Sequence, residues 1–332
     1  MSSNFSFLSF LNVSLRNRTN SGMIYANSRN EVELIVSIMA LDESGAQVFL
    51  TNAQMAANLS LCDYYTRASI ESDGWHNGAG QGEYISDGIL LDHSSSISAS
   101  FDGKEALSTL QISPQTGYLL PQSFTMRVSV SPGVYAAKSI AVKFFDGGDT
   151  TYDTANGSSY ASCVILTPVA EKTYTTDDLF YCAFANTEIV EGVTQTHEWD
   201  FNKKSIFYSF SNKNLYIKAM ESSLVSSNSQ DALIRSDYYT TDSSTHSISI
   251  YVDGLKSGGT TTALGPDNKT YTFTKNERVG QLCITRIDGT YTGKADKYRV
   301  SDKVTLFDQY GNKGVFTITT DASEAANILI TD

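Results

Sequence analysis

The segment "ESDGWHNGAGQGEYISDG" at residues 71–88 places aromatic, carboxylate and histidine side chains between closely spaced glycines. Trp75 and Tyr84 have flat faces that can stack on a sugar ring or dock into a protein, and polar neighbours can orient such a ligand. A long glycine-rich loop on a rigid scaffold is a common location for binding residues, because the loop can vary while the core stays fixed. The candidate ligand-binding residues are Trp75, His76, Asn77, Glu83, Tyr84 and Asp87.

The carboxylates of this segment also allow a different chemistry, glycoside hydrolysis. A glycosidase needs two carboxyl groups about 5 to 10 Å apart, one with a raised pKa so that it can donate a proton. Glu71, Asp73, Glu83 and Asp87 are the available carboxylates. Their spacing along a loop does not establish such a pair, and turns of any β-protein are rich in acidic residues. A glycan hydrolase is therefore the third function considered, and no catalytic residue is assigned.

A second acidic cluster, "DGGDTTYD", contains Asp146, Asp149 and Asp153. Carboxylate oxygens could hold Ca²⁺ at such a turn, but the spacing and the final Glu of an EF-hand are missing. An ordinary Asp-Gly hairpin turn is the favoured interpretation. The four histidines form no HxH or HExxH pattern, so the sequence predicts neither a metal site nor a cofactor.

The composition limits the classes of partner. The 332 residues carry 24 Lys+Arg against 36 Asp+Glu, a net charge of -12, and contain no basic run. Nucleic acid is not expected as a partner, because counterion release requires clustered cations. No apolar run approaches the roughly 20 residues of a membrane-spanning helix, so no helical membrane anchor is expected.

The N-terminal segment "FSFLSFLNVSL" (residues 5–15) is the one candidate targeting signal. It lacks a basic n-region and a small-residue cleavage pattern, so it is interpreted as a first strand or a docking segment. We accordingly expect no signal peptide, synthesis in the cytoplasm, and a final location on a virion or outside the cell.

Alternating apolar and polar residues recur along the chain and predict β-strands. In residues 30–40, "NEVELIVSIMA", the apolar residues Val32 and Leu34 share one face, while Glu31 and Glu33 share the other. A turn "DESG" and the strand "QVFL" follow as a hairpin. The best helical stretch is residues 51–59, with Thr51 or Asn52 as its N-cap, and residues 322–329, "ASEAANIL", are a weaker case. The fold class is therefore predicted to be all-β.

Three ordered matches between the halves predict an internal duplication. They pair "NEVELIVSIMA" with "NKNLYIKAM", "DYYT" at Asp63 with "DYYT" at Asp237, and "SISASFDGK" with "SISIYVDGL". The prediction is two tandem β-sandwich domains, residues 1–170 and 171–332, the first with an inserted loop at residues 67–90. Under this alignment Cys62, before the first "DYYT", corresponds to Ser236 before the second, so the cysteines do not occupy equivalent positions. All four are therefore predicted to be free, largely buried thiols.

The hairpin "LFDQYGNKGVF" (residues 306–316) is similar to the Asp-x-x-Gly-Asn turn of bacterial immunoglobulin-like domains, which occur in surface adhesins and phage structural proteins. This resemblance covers about a dozen residues. It implies immunoglobulin-like sandwiches with two sheets packed face to face, and it transfers no active residue.

The predicted function is a non-catalytic structural or adhesive protein of a bacterial surface or phage-like assembly, which binds a protein or glycan through loops and exposed tyrosines. Exposed strand edges can pair with the edges of another copy, so a homo-oligomer is also predicted. The alternative is a β-pore-forming or cell-targeting toxin, because residues 93–113 and 222–252 are long, Ser/Thr-rich and partly alternating. Their apolar rows are interrupted by Asp, Arg and Ser, which favours ordinary sandwich strands.

Overall fold

The computed structural model describes residues 5–78, 82–91, 120–193, 198–223, 232–239, 245–253, 259–264, 269–275, 278, 280–291, 301–320 and 328–332. The chain is all-β, with several sheets in sandwich-like layers. It divides into two compact units, unit 1 (Met1–Glu171) and unit 2 (Lys172–Asp332). The predicted immunoglobulin-like character and duplication of these units stay predictions.

Unit 1 contains eleven of the described strands, one α-helix and one 3₁₀ helix. The elements are β1 (Phe7–Leu15), β2 (Ser21–Ala26), β3 (Asn30–Leu41), β4 (Gln47–Val48), α1 (Asn52–Asn58), β5 (Leu59–Asp63), the 3₁₀ helix Ile70–Asp73, β6 (Trp75–Asn77), β7 (Tyr84–Ser86), β8 (Gln122–Val130), β9 (Lys138–Phe145), β10 (Thr151–Asp153) and β11 (Val164–Ala170). A six-stranded sheet has the order β1-β3-β8-β6, with β4 and β7 also paired to β3. A five-stranded sheet has the order β10-β9-β11-β2, with β5 paired to β9.

The core of unit 1 lies between these two sheets. Strand β3 supplies Val32, Leu34 and Val36 from the six-stranded sheet, and β9 supplies Ile140 and Val142 from the other, all fully buried in one cluster. The alternation predicted for residues 30–40 is confirmed. Burial of apolar residues on facing sides of two sheets is the main stabilising contribution in such a layered fold.

The polar face of β3 departs from the simple alternation, because Glu31 and Glu33 are also buried. Arg127, directly opposite Glu33 on β8, places its Nε 3.5 Å from Glu33 Oε1 and 3.9 Å from Glu31 Oε2. Arg16 adds an Nη1–Oε2 contact of 3.1 Å to Glu33. Two arginines thus compensate two carboxylates that the sequence pattern placed on an open face.

The short helix at residues 51–59 is confirmed as α1, with Thr51 as its N-cap. Thr51 Oγ1 accepts the Gln54 amide at 3.2 Å, and Gln54 Oε1 accepts the Thr51 amide at 2.9 Å, which is a capping box. In the weaker helical stretch at residues 322–329, Ile328 and Leu329 belong instead to the strand Ile328–Thr331, and residues 322–327 lie outside the described residues.

Unit 2 contains the remaining described strands and a second 3₁₀ helix. They are β12 (Thr173–Tyr174), the 3₁₀ helix Thr176–Asp178, β13 (Leu179–Val193), β14 (Glu198–Phe210), β15 (Ile217–Ser222), β16 (Ala232–Tyr239), β17 (Thr245–Asp253), β18 (Gly259–Leu264), β19 (Thr270–Lys275), β20 (Leu282–Tyr291), β21 (Asp302–Asp308), β22 (Lys313–Thr320) and β23 (Ile328–Thr331). The sheet orders are β12-β22-β21-β15, with β23 on β22, and β13-β14-β20-β17-β16, and β18 pairs with β19. The rings of Tyr174 and Phe210 stack at 4.2 Å and join the first two sheets.

The hairpin predicted at residues 306–316 is present as β21 and β22. Asp308 closes its turn, because Oδ1 accepts the amides of Tyr310 and Asn312 at 2.8 and 2.9 Å, while Oδ2 accepts the Tyr174 hydroxyl at 2.6 Å. Gly311 has a φ of 79°, a conformation that glycine adopts without a Cβ penalty. The Asp-x-x-Gly-Asn pattern therefore specifies this turn by side-chain capping and backbone conformation.

The tetrapeptide "DYYT" adopts different structures in its two copies. Asp63 ends β5 and begins a turn, whereas Asp237 lies within β16 and pairs with Ser247 of β17. This match therefore gives no support to the predicted duplication. The match at "SISASFDGK" falls on residues outside the described ones, as does the proposed toxin stretch at 93–113.

Candidate binding surface

The glycine-rich segment predicted as a free loop forms short strands on the six-stranded sheet. After the 3₁₀ helix Ile70–Asp73, β6 pairs antiparallel with β8, and β7 pairs in parallel with the start of β3. Residues 79–81 between these strands lie outside the described residues. The segment is thus held at two strand edges, which limits how much of it can face a ligand.

Trp75 and Tyr84, the two predicted stacking residues, are buried. Trp75 is 1% exposed and belongs to the hydrophobic core between the sheets, opposite Val130 of β8. The Tyr84 side chain is buried beside Asn30, its partner on β3. A side chain must reach solvent to stack on a ligand, so these two residues are not part of the contact surface that the structure presents.

The four polar candidates of this segment are spread over different contacts. His76 Nε2 lies 2.8 Å from Ser131 Oγ, and the Asn77 amide lies 3.4 Å from Glu71 Oε1. Glu83 is exposed, and Asp87 accepts the amide of Ile89 at 3.2 Å. Their role in ligand binding stays a prediction.

The carboxylates considered for hydrolysis have local structural partners. Asp73 forms an ion pair with Lys138, with 2.6 Å between Oδ2 and Nζ, and Glu71 faces the Asn77 amide as described above. These contacts tie the 3₁₀ helix to β9 and to β6. The hydrolase prediction is not tested by them and stays a prediction.

The calcium candidates use their oxygens within the fold. Asp146 Oδ1 accepts the amides of Gly148 and Thr150 at 2.7 and 3.2 Å, as in an Asp-capped hairpin turn. Asp153 Oδ2 contacts Arg67 Nε at 3.0 Å, and Asp149 is exposed. Within the described residues, no three carboxylate, histidine or cysteine side chains come together as a metal site would require.

Three connecting segments meet at one end of unit 1, and we call residues 63–74, 131–138 and 153–158 the loop end. The Tyr64 amide donates to the Ser139 carbonyl, and the Tyr64 carbonyl accepts the Asn156 amide, both at 2.9 Å. The Ser131 amide donates to the Gly74 carbonyl at 2.8 Å. Backbone hydrogen bonds therefore link each of the three segments to another or to β9 next to it.

Arg67 holds the first of these segments to the third. Its φ of 61° is in the left-handed region, and its side chain spans from Asp153, at 3.0 Å, to the Asn156 carbonyl, also at 3.0 Å. Lys143 Nζ donates to the Arg67 carbonyl at 2.7 Å. The Arg67 guanidinium links the two segments and is half-exposed, so a partner could also contact it.

Asp63 fixes the turn that carries the tyrosines. Its Oδ1 accepts the amides of Tyr65 and Thr66 at 3.0 and 2.8 Å. Burial alone would raise the pKa of Asp63, but the hydrogen bonds from Thr66 and Tyr65, and the charge of Lys138, outweigh it and lower the pKa. The carboxylate is therefore stabilised in its charged form, as a turn cap requires.

Two tyrosines project from this scaffold. Tyr65 is 66% exposed and packs edge-on against Tyr64, with ring centroids 5.0 Å apart, and Tyr135 is 64% exposed. Tyr135 follows the turn at residues 131–134, where Gly133 has a φ of 85° after Pro132. Such rigid turns orient the rings that follow them.

Neither tyrosine is among the candidate ligand-binding residues predicted from the sequence. The tetrapeptide "DYYT" predicts only a repeat, and no prediction falls on "SPGVY". The sequence does contain a signal for them. A capping Asp precedes two tyrosines, and a Pro-Gly turn precedes a third, and each pattern predicts an aromatic residue on a fixed turn.

The remaining surface features concern membranes and cysteines. Among the described residues, no helix has the length and apolar character needed to cross a bilayer. All four cysteines are free thiols, with Cys62 and Cys283 buried. Burial raises the pKa of the Cys62 thiol to about 11, which keeps it protonated and unreactive at neutral pH.

Comparison with known proteins gives little further information. Neither a family model nor a curated protein matches the sequence. Among solved structures, the chain is similar to the C-terminal domain of the Streptococcus pyogenes antigen I/II-family protein AspA, at 11% identity, over 97% of this chain and 98% of that one. The TM-score of this match is 0.23, which is too low to carry an argument about function.

Proposed function

We propose that the chain is a non-catalytic binding protein that contacts a protein or glycan partner through the loop end of unit 1. The observation that carries this proposal is the exposure of Tyr65 and Tyr135 on turns that the fold holds in place. Tyrosine provides a large and rigid contact area with one polar group, and it is enriched where loops recognise other molecules. Arg67 beside Tyr65 adds a second side chain typical of binding hot spots.

Preorganisation of the loop end supports the same proposal. The ion pairs Arg67–Asp153 and Lys138–Asp73 and the Asp63 cap hold the turns before a partner arrives. Ordering a mobile interface side chain costs about 0.5–1.5 kcal/mol, so turns that are already ordered keep more of the contact energy as affinity. The same segments also pack Ile70 and Ala155 into the interior, so the exposed rings of Tyr65 and Tyr135 are carried by turns that are anchored from below as well as by these surface contacts.

For the biological setting, we propose a structural or adhesive component of a bacterial surface or phage-like assembly, located on a virion or outside the cell. The net charge of -12 and the absence of a basic run in the sequence support a protein or glycan partner over a nucleic acid.

The test is a binding screen of the full chain on arrays of glycans and of extracellular and virion proteins. The double variant Tyr65→Ser/Tyr135→Ser should lose at least about tenfold in affinity for any array target that the wild type binds, since one buried aromatic anchor is worth roughly 2 kcal/mol or more. Tyr216→Ser is the matched control, because Tyr216 is 48% exposed but lies in unit 2. Equal binding by the double variant and the wild type would remove the loop end from the proposal.

A further inference from the structure

The dipeptide Asn-Gly occurs at two positions in the chain, Asn77-Gly78 and Asn156-Gly157, and the structure describes both. An asparagine side-chain amide in this sequence is open to attack by the next backbone nitrogen, because glycine has no side chain to obstruct the approach. The attack closes a five-membered ring, so the peptide between the two residues has to turn its nitrogen toward the asparagine Cγ. The fold holds this peptide differently in the two copies.

The first copy is fixed in the six-stranded sheet. Asn77 ends β6, where it pairs with Val128 of β8, and the Gly78 amide donates to the Arg127 carbonyl at 2.6 Å. A Cβ on Gly78 would lie 2.5 Å from the Arg127 Cβ, so the Gly78 backbone is packed directly against β8. The peptide after Asn77 can therefore turn only if this edge of the sheet opens locally.

The second copy forms an exposed turn. The Ser158 amide donates to the Ala155 carbonyl at 3.1 Å, so Asn156 and Gly157 are the central residues of a β-turn, and both are exposed. Gly157 has a φ of 80°, and a Cβ placed on it would meet no atom within 4 Å. In the part of the chain that the structure describes, the Gly157 amide donates no hydrogen bond. The nitrogen that has to react is thus open to solvent and unobstructed.

Arg67 restrains the peptide that has to turn. The Asn156 carbonyl accepts a hydrogen bond from Arg67 Nη2 at 3.0 Å, and this carbonyl lies in the same peptide plane as the Gly157 nitrogen. The plane can turn only when this bond opens. Because the Arg67 side chain is 45% exposed, water can replace the bond without any opening of a sheet.

We propose that Asn156 is a site of spontaneous deamidation, that the fold protects Asn77 from the same reaction, and that Arg67 slows the reaction at Asn156. The Asn156 reaction begins when the Gly157 backbone nitrogen loses its proton to hydroxide and attacks Asn156 Cγ. A bond forms between these two atoms, the bond from Cγ to Nδ2 breaks, and Nδ2 leaves as ammonia with a proton taken from water.

Water then opens the cyclic imide in one of two ways. Hydrolysis of the newly formed bond gives aspartate, whereas hydrolysis of the original main-chain bond gives isoaspartate. In total, the side-chain amide and one water molecule become a carboxylic acid and ammonia, and no atom is oxidised or reduced.

Both products change the loop end, because Asn156 lies within it. Aspartate adds a negative charge to the turn. Isoaspartate adds a methylene to the main chain between the residue 156 amide, which donates to the Tyr64 carbonyl at 2.9 Å, and the next peptide, whose carbonyl Arg67 holds. The turn of Tyr65 should then be held less firmly. An effect on partner binding rests on the proposed function, whereas the modification itself does not.

The test is peptide mapping by mass spectrometry of the native full chain during incubation at mildly alkaline pH. The Asn156 peptide should convert to aspartate and isoaspartate forms at least about tenfold faster than the Asn77 peptide, because only the Asn77 peptide requires local opening of a sheet. In urea both peptides should convert at similar rates. The variant Asn156→Gln should release much less ammonia, since its longer side chain does not close the five-membered ring.

A second pair of variants tests the restraint. Arg67→Ala should deamidate at Asn156 several-fold faster than the wild type, and Arg18→Ala should match the wild type. Arg18 is the matched control because it is also an exposed arginine of unit 1, with a similar φ of 65° against 61° for Arg67. Circular dichroism verifies that all variants are folded.

Three results would overturn parts of the proposal. A native Asn156 peptide that stays unchanged while the chain in urea converts would remove Asn156 as a site. A native Asn77 peptide that converts as fast as the Asn156 peptide would contradict protection by β8. An unchanged rate in Arg67→Ala would remove Arg67 as the restraint.

Discussion

Substitution of Trp75 distinguishes a core residue from a ligand-stacking residue. In the structure its indole is 1% exposed within the cluster that joins the two sheets of unit 1. Trp75→Ala removes this ring from the interior and leaves a cavity that the sheets can fill only in part. The effect should therefore fall on the stability of unit 1. If Trp75 were instead exposed on a loop, the same change would weaken ligand binding and leave stability nearly unchanged.

The magnitude can be estimated from burial. Loss of a fully buried tryptophan costs about 3–5 kcal/mol, a large part of the roughly 5–15 kcal/mol that stabilises a typical domain. For a unit of 171 residues, each kcal/mol lowers the melting temperature by about 2–4 °C, so the transition of unit 1 should fall by roughly 6–20 °C. Trp75→Phe, which retains an aromatic ring, should cost less.

The assay is differential scanning calorimetry of the full chain, because it measures the melting temperature of the unfolding transition that Trp75→Ala should lower. Tyr65→Ala provides the comparison, because an exposed tyrosine should change the free energy of unfolding by no more than about 0.5 kcal/mol. A Trp75→Ala transition within about 2 °C of the wild type would refute the placement of Trp75 in the core.

One further substitution and one thiol reagent test other parts of the fold. Gly311→Ala should destabilise unit 2 by about 1–2 kcal/mol, because alanine is strained at the left-handed φ of this turn, and an unchanged urea midpoint would contradict the turn geometry. Titration with Ellman's reagent should show two thiol classes, with Cys163 and Cys182 reacting in the native protein and Cys62 and Cys283 only after denaturation. Four thiols with a single fast rate would contradict the burial of the last two.

Strand content and local turns could be predicted from the sequence because their causes are local. The alternation in β3 reports directly which side chains face the core, and the capping box of α1 is formed by residues three positions apart. The Asp308 turn likewise depends on side chains within five residues, apart from the Tyr174 hydroxyl. A strand or turn whose contacting residues are close in sequence can therefore be predicted from that sequence alone.

The position of the glycine-rich segment could not be predicted in this way. Its composition is that of a surface loop, and the three-residue strand β6 is too short for an alternation signal. Trp75 is buried only because β6 pairs with β8, which begins at Gln122, far along the chain. The pairing of two strands that are distant in sequence therefore determines that Trp75 is buried, and the spacing of residues within the segment does not indicate this burial.

The grouping of the tyrosines at the loop end could not be predicted from the sequence either. The adjacent rings of Tyr64 and Tyr65 are visible in the sequence, but their meeting with the segment of Tyr135 requires β5 and β9 to pair. The repeat of "DYYT" predicts similar structures in the two halves, whereas the first copy forms a turn and the second lies in a strand. Identical tetrapeptides adopt the structure that their tertiary context imposes.

The central claim is that Tyr65 and Tyr135 of the loop end are available to a partner, whereas Trp75 and Tyr84 of the glycine-rich segment are not. Hydroxyl-radical footprinting of the native protein, read by mass spectrometry, tests it directly through the oxidation rate of each ring. Tyr65 and Tyr135 should oxidise rapidly, while Trp75 and Tyr84 should be protected until the protein unfolds. Oxidation of native Trp75 as rapid as that of Tyr65 would contradict the claim.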